Sequence, residues 1–264
     1  MTSKRPLLGV VHLLALPSAV RHESMARVLD HALADARAYA DSGFDGIVVE
    51  NFGDAPFHRG TAEDPVPPDV VAGLAIAADR IRTTTGLDVA INCLRNDGHA
   101  ALGIAAATGA RWVRVNVLTG AYVTDQGLIA GDAARLAAYR RLLRHEVLLL
   151  ADLLVKHAVP LAPVDVAAAA KDLAERSGAD GLLLSGRRTG EPVDVAFLDS
   201  VRAAVGAFPI WLGSGLDLHN APELWPRCDG AIVGTACKVG GRTTEPVDPA
   251  RARALRAACP PGDR

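Results

Sequence analysis

Short apolar runs alternate with longer segments of helical periodicity along almost the whole chain. The runs are rich in Val, Ile and Leu and only a few residues long, which is typical of buried strands. They cover residues 7–13, 46–50, 88–94, 112–118, 147–154, 181–185, 210–213 and 230–234. The segments between and after them predict helices at 24–42, 66–84, 98–108, 133–145, 164–176, 194–205, 220–225 and 249–258. This alternation predicts an α/β fold with parallel strands.

Eight such strand–helix units follow one another without a low-complexity linker, which favours a single (β/α)8 TIM barrel over residues 1–264. No GxGxxG turn follows the first strand, so a dinucleotide-binding half is not supported. The proline-containing stretch 53–68 and the stretch 122–131 are predicted as long loops over the mouth of the barrel, and the first is a candidate lid.

Composition narrows the class of protein further. Half of the 264 residues are hydrophobic but only 4% are aromatic, and the formal net charge is −2. The core must therefore be aliphatic, and no basic face indicates nucleic acid. No apolar segment reaches the roughly 18 residues of a membrane span, and residues 1–16 do not form a secretory signal. The cysteines lack a CxxC pair and predict reduced thiols, so a cytoplasmic protein is expected.

Polar side chains appear where the apolar runs end, most clearly at Asp152, Lys156 and His157. Burying a charge at the end of a strand costs free energy unless the charge is paired with an opposite charge or takes part in binding or catalysis. In a TIM barrel these ends meet at one mouth, where catalytic groups lie. The candidate catalytic residues are His12, Glu50, Asp152, Lys156 and His157. The candidate substrate-binding residues are Asn51, Asn92, Arg95, Asn96, Asp97, Arg114, Asn116, Ser185 and Thr189.

The roles of these groups stay open at the level of sequence. Lys156 could form an imine, stabilise an oxyanion as a charged group, or simply pair with Asp152. Glu50 or Asp152 is the natural general base, and His12 or His157 the acid. His12, Glu50, Asp152 and His157 could also bind a divalent metal, although no compact ligand spacing supports it. The metal and cofactor content is therefore left unknown.

Two glycine-containing turns close the last two strands. They are Gly213-Ser214-Gly215 and Gly234-Thr235. Glycine lets the backbone approach an oxyanion closely, and loops at these positions hold phosphate in many barrels. Tight strand-to-helix turns are the alternative explanation. Because both turns occur together in the last two units, a phosphate-binding site is predicted.

The same residues carry a family resemblance. The segments are Gly9-Val-Val-His12-Leu, Val49-Glu-Asn51-Phe-Gly-Asp-Ala-Pro-Phe57, Asn92-Cys-Leu-Arg-Asn-Asp97, Arg114-Val-Asn116-Val, Val123-Thr-Asp-Gln-Gly127, Ala151-Asp-Leu-Leu-Val-Lys-His157 and Gly213-Ser-Gly215. In order and spacing they resemble the BtpA/SgcQ family from about residue 7 to about residue 250. The resemblance implies a barrel of the ribulose-phosphate-binding kind.

The resemblance also implies what the protein acts on. Cyanobacterial members of the family support the accumulation of photosystem I, whereas other members lie among sugar-uptake and carbohydrate genes. The expected function is acid/base chemistry, of lyase, isomerase or epimerase type, on a small phosphorylated sugar-like or nucleoside-derived substrate. A non-catalytic assembly or stability factor is the alternative, and glycosyl transfer or nucleosidase activity is the second. Neither nucleic acid nor a membrane span is expected, and homo-oligomerisation is left open.

Overall fold

Eight parallel strands close into a barrel in the computed structural model, which describes residues 5–186 and 191–262 of the chain. The strands are β1 (Leu7–His12), β2 (Gly46–Glu50), β3 (Asp88–Asn92), β4 (Trp112–Val115), β5 (Leu148–Asp152), β6 (Gly181–Leu184), β7 (Ile210–Leu212) and β8 (Gly230–Val233). Strand β1 pairs with both β2 and β8, which closes the ring. The prediction of a TIM barrel is confirmed.

Helices alternate with these strands. Among the described residues they are α1 (Met25–Asp41), α2 (Pro68–Thr85), α3 (Gly98–Thr108), α4 (Ala133–Leu142), α5 (Val166–Arg176), α6 (Val195–Val205), α7 (Ala221–Leu224) and α8 (Pro249–Ala258). Helix α4 ends earlier than predicted because Arg144 adopts a left-handed conformation, with φ of 50°. Strand β5 likewise ends at Asp152, since Leu154 has φ of 58°.

The inside of the barrel is filled at its lower end by aliphatic side chains and two tryptophans. Trp112 and Trp211 meet edge to face with their ring centroids 6.1 Å apart. Glycine makes room for them, because a Cβ at Gly230 would lie 2.7 Å from the Trp211 ring. The lower part of the barrel is therefore packed core, and only its mouth is open to polar chemistry.

A small three-stranded antiparallel sheet lies beside the mouth. It joins Ala121–Thr124, Gly127–Ala130 and Ala158–Pro160. The expectation of an irregular loop at 122–131 was wrong: the segment is a hairpin whose tight turn uses Gly127 at φ of 94°. Tyr122 and Ile129 point inward, where they pack with Val117 and Val155. This sheet fixes the segment that carries Lys156.

The stretch predicted as a lid is held against the β3 loop. The His58 carbonyl accepts a hydrogen bond of 3.0 Å from the Arg95 N–H. A Cβ at Gly60 would lie 2.3 Å from the Asp97 backbone nitrogen, so the two loops are in close contact. The stretch therefore forms part of the rim of the mouth.

A buried ion pair joins the first helix to the last loop of the chain. Lys238 is fully buried, and its Nζ donates to Oδ2 of Asp35 on α1. The Oδ1 atom of Asp35 accepts a hydrogen bond of 2.7 Å from the Val247 N–H. One carboxylate of α1 thus binds both ends of the segment between β8 and α8.

No helix within the described ranges is long and apolar enough to cross a membrane. The four cysteines, at positions 93, 228, 237 and 259, are all free and buried. Burial raises the pKa of the Cys228 and Cys237 thiols to about 12, so both are unreactive thiols at neutral pH.

Candidate functional site

A cavity of about 340 Å³ lies at the mouth of the barrel, where the strands end; we call it the mouth cavity. It brings together most of the side chains and turns that the sequence singled out. Those that line it are His12, Glu50, Asn92, Arg95, Arg114, Asn116, Asp152, Lys156, His157, Gly213, Ser214, Gly215, Gly234 and Thr235. The C-terminal ends of β1, β2, β3, β4, β5, β7 and β8 thus converge on one space.

A buried hydrogen-bond network forms the floor of the mouth cavity. Arg114 donates from Nε and Nη2 to the two carboxylate oxygens of Asp152, each at 2.9 Å. Asn116 donates to Oδ2 of Asp152 at 3.0 Å and accepts from Asn92 Nδ2 at 3.1 Å. Burial alone would lower the pKa of Arg114, but Asp152 raises it. Asp152 is therefore fully engaged by the floor and is a poor general base.

The pairing of Asp152 with Lys156, one alternative from the sequence, is wrong. No carboxylate of the described residues lies within 4 Å of Lys156 Nζ. Because Leu154 turns the chain away from the strand direction, the lysine leaves β5 and faces the cavity. Burial, and then the nearby Arg114, lower the pKa of Lys156 to about 8.

Lys156 is therefore expected to be the lysine that acylating reagents modify first as the pH rises. About half of its amine is neutral at pH 8, and only the neutral amine is nucleophilic. The other described lysines are Lys171, which is exposed, and Lys238, which is fully buried. Peptide mapping after brief acetic anhydride treatment at pH 6, 7, 8 and 9 should show Lys156 modification rising with a midpoint near pH 8. If Lys156 were modified to the same extent as Lys171 at every pH, the lowered pKa of Lys156 would be contradicted.

Glu50 is the carboxylate of the mouth cavity that the floor leaves available. It ends β2 and is 8% exposed, and among the described residues it accepts no side-chain hydrogen bond. Its nearest ionic neighbour is His12, whose Nε2 lies 3.8 Å from Oε1. Burial raises the pKa of Glu50, and the charges of Arg114 and Lys156 oppose that rise. This environment suits a group that takes up and releases a proton.

His12 is a neutral imidazole in this site. Burial, and then the charges of Lys238 and Lys156, hold its pKa well below the usual value. Its ring packs edge-on against Phe52 at 4.9 Å between centroids, and Nδ1 has no hydrogen-bond partner among the described residues. His12 therefore offers hydrogen bonds to a ligand, not a positive charge. His157, the other candidate acid, is exposed at the rim.

The two glycine turns form the wall of the mouth cavity at the ends of β7 and β8. Gly215 has φ of 78°, and a Cβ there would lie 1.8 Å from the Glu191 carbonyl oxygen, so only glycine fits. The Ser214 hydroxyl is buried without a partner among the described residues. Arg251, in the first turn of α8, also lines this wall and donates to the Ala236 carbonyl at 2.9 Å.

Arg251 was not among the candidate residues, which were all taken from strand ends and the turns that follow them. In a barrel the first turn of the helix that follows a strand also lies beside the mouth, so a basic residue there is a usable signal. Eleven other residues of the cavity wall were also outside the candidate set: Val10, Phe52, Phe57, Leu94, Asp125, Val155, Leu216, Asp217, Val233, Ala236 and Gly241.

Four of the described candidate substrate-binding residues do not line the mouth cavity; three of them, apart from Ser185, hold its loops. Asn51 accepts from the Leu94 N–H at 2.7 Å, and Asn96 accepts from the Val117 N–H at 2.7 Å. Asp97 caps helix α3. Their side chains satisfy loop backbone that would otherwise be buried without partners. These residues shape the mouth by holding its loops.

The β6 end is described only in part. Ser185 lies behind the first glycine turn, since a Cβ at Gly213 would be 2.8 Å from its Oγ. Thr189 lies outside the described residues. Within the described ranges, no group of three or more His, Cys, Asp or Glu side chains could hold a metal ion.

Known proteins resemble this chain in sequence. It is 44% identical over 251 residues to a Synechocystis protein named Photosystem I biogenesis protein BtpA, covering 95% of this chain and 86% of the relative. It is 41% identical over 254 residues to an uncharacterized protein of Pyrococcus furiosus, covering 96% and 94%.

Solved structures resemble it in fold. Thiamine phosphate pyrophosphorylase from Pyrococcus furiosus superposes with a TM-score of 0.58 at 14% identity, covering 97% of this chain and 96% of that one. Phosphoribosyl anthranilate isomerase from Thermus thermophilus gives 0.57 at 13% identity, covering 96% and 97%. Identities this low show the barrel fold alone. The BtpA family model, in contrast, matches residues 3–259, and the chain belongs to the BtpA family.

Proposed function

We propose that this protein is an enzyme that acts on a small phosphorylated, sugar-like substrate by acid/base chemistry. One observation carries the proposal: a single cavity is lined both by two glycine turns and by the buried Glu50 and the half-buried Lys156. A scaffold protein gains nothing from desolvated ionisable groups around an empty space, whereas a catalytic site needs them.

The phosphate group would lie against the β7 and β8 turns. The Gly213 N–H donates to the Leu184 carbonyl at 2.6 Å, so the phosphate would be bound by backbone N–H groups of the turns beyond it, at Ser214, Gly215 and Gly234. The Ser214 hydroxyl is a further available donor. Arg251 adds a positive charge on the same wall. Backbone donors with a nearby cation form the usual phosphate site of such barrels.

The reacting carbon would lie between Glu50 and Lys156. Glu50 would remove a proton from a carbon next to a carbonyl group and return it at the same or a neighbouring atom. With a pKa of about 8, Lys156 is mostly an ammonium at pH 7, so it would stabilise the enolate oxygen by charge. Proton transfer of this kind is shared by isomerases, epimerases and many carbon–carbon lyases.

Thermal shift against a panel of sugar phosphates tests the proposal. A ligand present at a hundredfold excess over its dissociation constant should stabilise the protein by about 2.7 kcal/mol. Ser214→Asp, which adds a carboxylate to the phosphate wall, should abolish that response. Ser200→Asp is the matched control, since it adds the same charge on the exposed surface of α6. Substituting Gly215 would be a poorer probe because of its contact with Glu191.

A non-catalytic assembly role is the second candidate, and the name of the Synechocystis relative favours it. This role predicts that neither sugar phosphates nor the Ser214→Asp substitution alter the melting temperature in a ligand-dependent way. An unresponsive mouth cavity would therefore shift the assignment from enzyme to assembly factor.

A further inference from the structure

The wall of the mouth cavity opposite the glycine turns carries a second positive region. Around the ring, β3 lies across from β7 and β4 lies across from β8. Arg95 follows β3 and lines the cavity, and its Nη2 donates to the Lys156 carbonyl at 2.6 Å. This hydrogen bond joins the loop of Arg95 to the loop of Lys156, and Arg95 lies across the ring from the β7 turn proposed to bind phosphate.

Neither of these cations forms a close ion pair with a carboxylate of the described residues. Arg95 is 9% exposed, and no carboxylate of the described residues lies within 4 Å of its guanidinium or of Lys156 Nζ. Burial lowers the pKa of Arg95, as it does that of Lys156. A buried charge without a partner is costly, and two of them facing one cavity indicate that a ligand supplies the negative charge.

None of the four acidic residues that line the cavity, which include Asp217, lies within 4 Å of the charged nitrogens of Arg95 or Lys156. Asp152 is held by Arg114 through two hydrogen bonds. Glu50 and Asp125 also line the cavity, but both are more than 4 Å from the charged nitrogens of Arg95. Burial lowers the pKa of Arg95, and the charges of these two carboxylates oppose that lowering without outweighing it. The guanidinium keeps its Nε and Nη1 donors available for a ligand.

The side chain of Asn92 offers the mouth cavity a hydrogen-bond acceptor that suits a ligand hydroxyl group. Asn92 is 1% exposed and lines the cavity, and its Oδ1 has no hydrogen-bond partner among the described residues. Its Nδ2 is already used by Asn116. A buried acceptor of this kind is satisfied when a ligand donates to it, as a sugar hydroxyl would.

We propose that Arg95 and Lys156 form a second anion subsite that binds a carboxylate, so that the substrate is a phosphorylated sugar acid. Its phosphate lies at the β7 and β8 turns, its hydroxyl-bearing carbons pass Asn92, and its carboxylate meets Arg95. A carboxylate fits better than a second phosphate, because Glu50 and Asp125 border the subsite and would repel a dianion more strongly. The phosphate end of this assignment rests on the proposed function.

Matched ligand pairs measured by calorimetry test the second subsite. Each pair joins a phosphorylated acid to the alditol phosphate of the same length: 3-phosphoglycerate with glycerol 3-phosphate, 5-phosphoribonate with ribitol 5-phosphate, and 6-phosphogluconate with glucitol 6-phosphate. In at least one pair the acid should bind about tenfold more tightly or better, as expected for charge-assisted hydrogen bonds. Arg95→Gln should reduce that ratio to about twofold or less. Arg176→Gln, which removes a charge from the exposed side of α5, should preserve it.

The outcomes separate the two proposals. Equal binding of acid and alditol in every pair overturns the second subsite and leaves the phosphate site standing. Binding of gluconate without binding of any phosphate ester supports the subsite and overturns the proposed phosphate end. Tighter binding of fructose 1,6-bisphosphate than of every acid overturns the assignment to carboxylate, and no binding by any probe overturns both proposals. If the Arg95→Gln variant melts well below the wild type without ligand, Lys156→Met is measured in its place. The ratio of acid to alditol affinity is again expected to fall to about twofold or less.

Discussion

Replacing Arg114 by Met is expected to lower the free energy of unfolding by about 3–5 kcal/mol, because Asp152 would stay buried without a counter-charge. For a protein of this size each kcal/mol corresponds to about 2–4 °C, so the melting temperature should fall by about 6–20 °C. Urea unfolding at pH 7, followed by far-UV circular dichroism, measures the loss directly.

Two further variants show whether this loss comes from the buried charge. Lys171→Ala removes one partner of an exposed pair with Glu175 and should change stability by about 0.5 kcal/mol or less. The double variant Arg114→Met with Asp152→Leu removes both buried charges and should recover a large part of the loss. If the single Arg114→Met variant were as stable as Lys171→Ala, Arg114 would not be the group that compensates the buried charge of Asp152.

Glu50→Gln is expected to slow proton exchange at the substrate by about 10²–10⁴-fold, the usual contribution of a positioned general base. The measurement is deuterium incorporation from D2O, followed by NMR, into a sugar phosphate that stabilises the wild type. A Glu50→Gln variant that exchanges at the wild-type rate would remove Glu50 from the mechanism.

The same substitution should not destabilise the fold, which separates chemistry from folding. Burial raises the pKa of Glu50 in the folded protein. The folded state therefore binds the proton more tightly than the unfolded state, and stability is lost as the pH rises through the folded pKa. Glutamine carries no charge to desolvate. At pH 7 the melting temperature of Glu50→Gln should equal or exceed that of the wild type.

Strand periodicity was enough to predict the barrel and to bring most polar strand ends to one mouth. It could not separate residues that face the cavity from residues that hold its loops. Asn51 and Asn96 look the same in sequence as Asn92 and Asn116, because an amide side chain serves loop backbone and ligand equally well. Which of them is free for a ligand depends on how neighbouring loops pack.

Two other features depend on contacts between distant parts of the chain. The partner of Asp152 lies on the neighbouring strand at Arg114, 38 residues away, whereas Lys156 is close only in sequence. The hairpin beside the mouth is completed by Ala158–Pro160 from beyond β5, so its alternating pattern over 121–130 was too short to stand out from a loop.

The ion pair between Asp35 and Lys238 bears on the order in which the chain folds as it is made. Its two partners are separated by 203 positions, and β1 likewise pairs with β8. At about 5–20 residues per second, synthesis takes about 10–40 s to progress from one partner to the other. During that time Asp35 lacks its lysine partner and β1 has one unpaired edge. The nascent N-terminal half therefore keeps an open strand edge and an unmatched carboxylate until the last strand and Lys238 have been made.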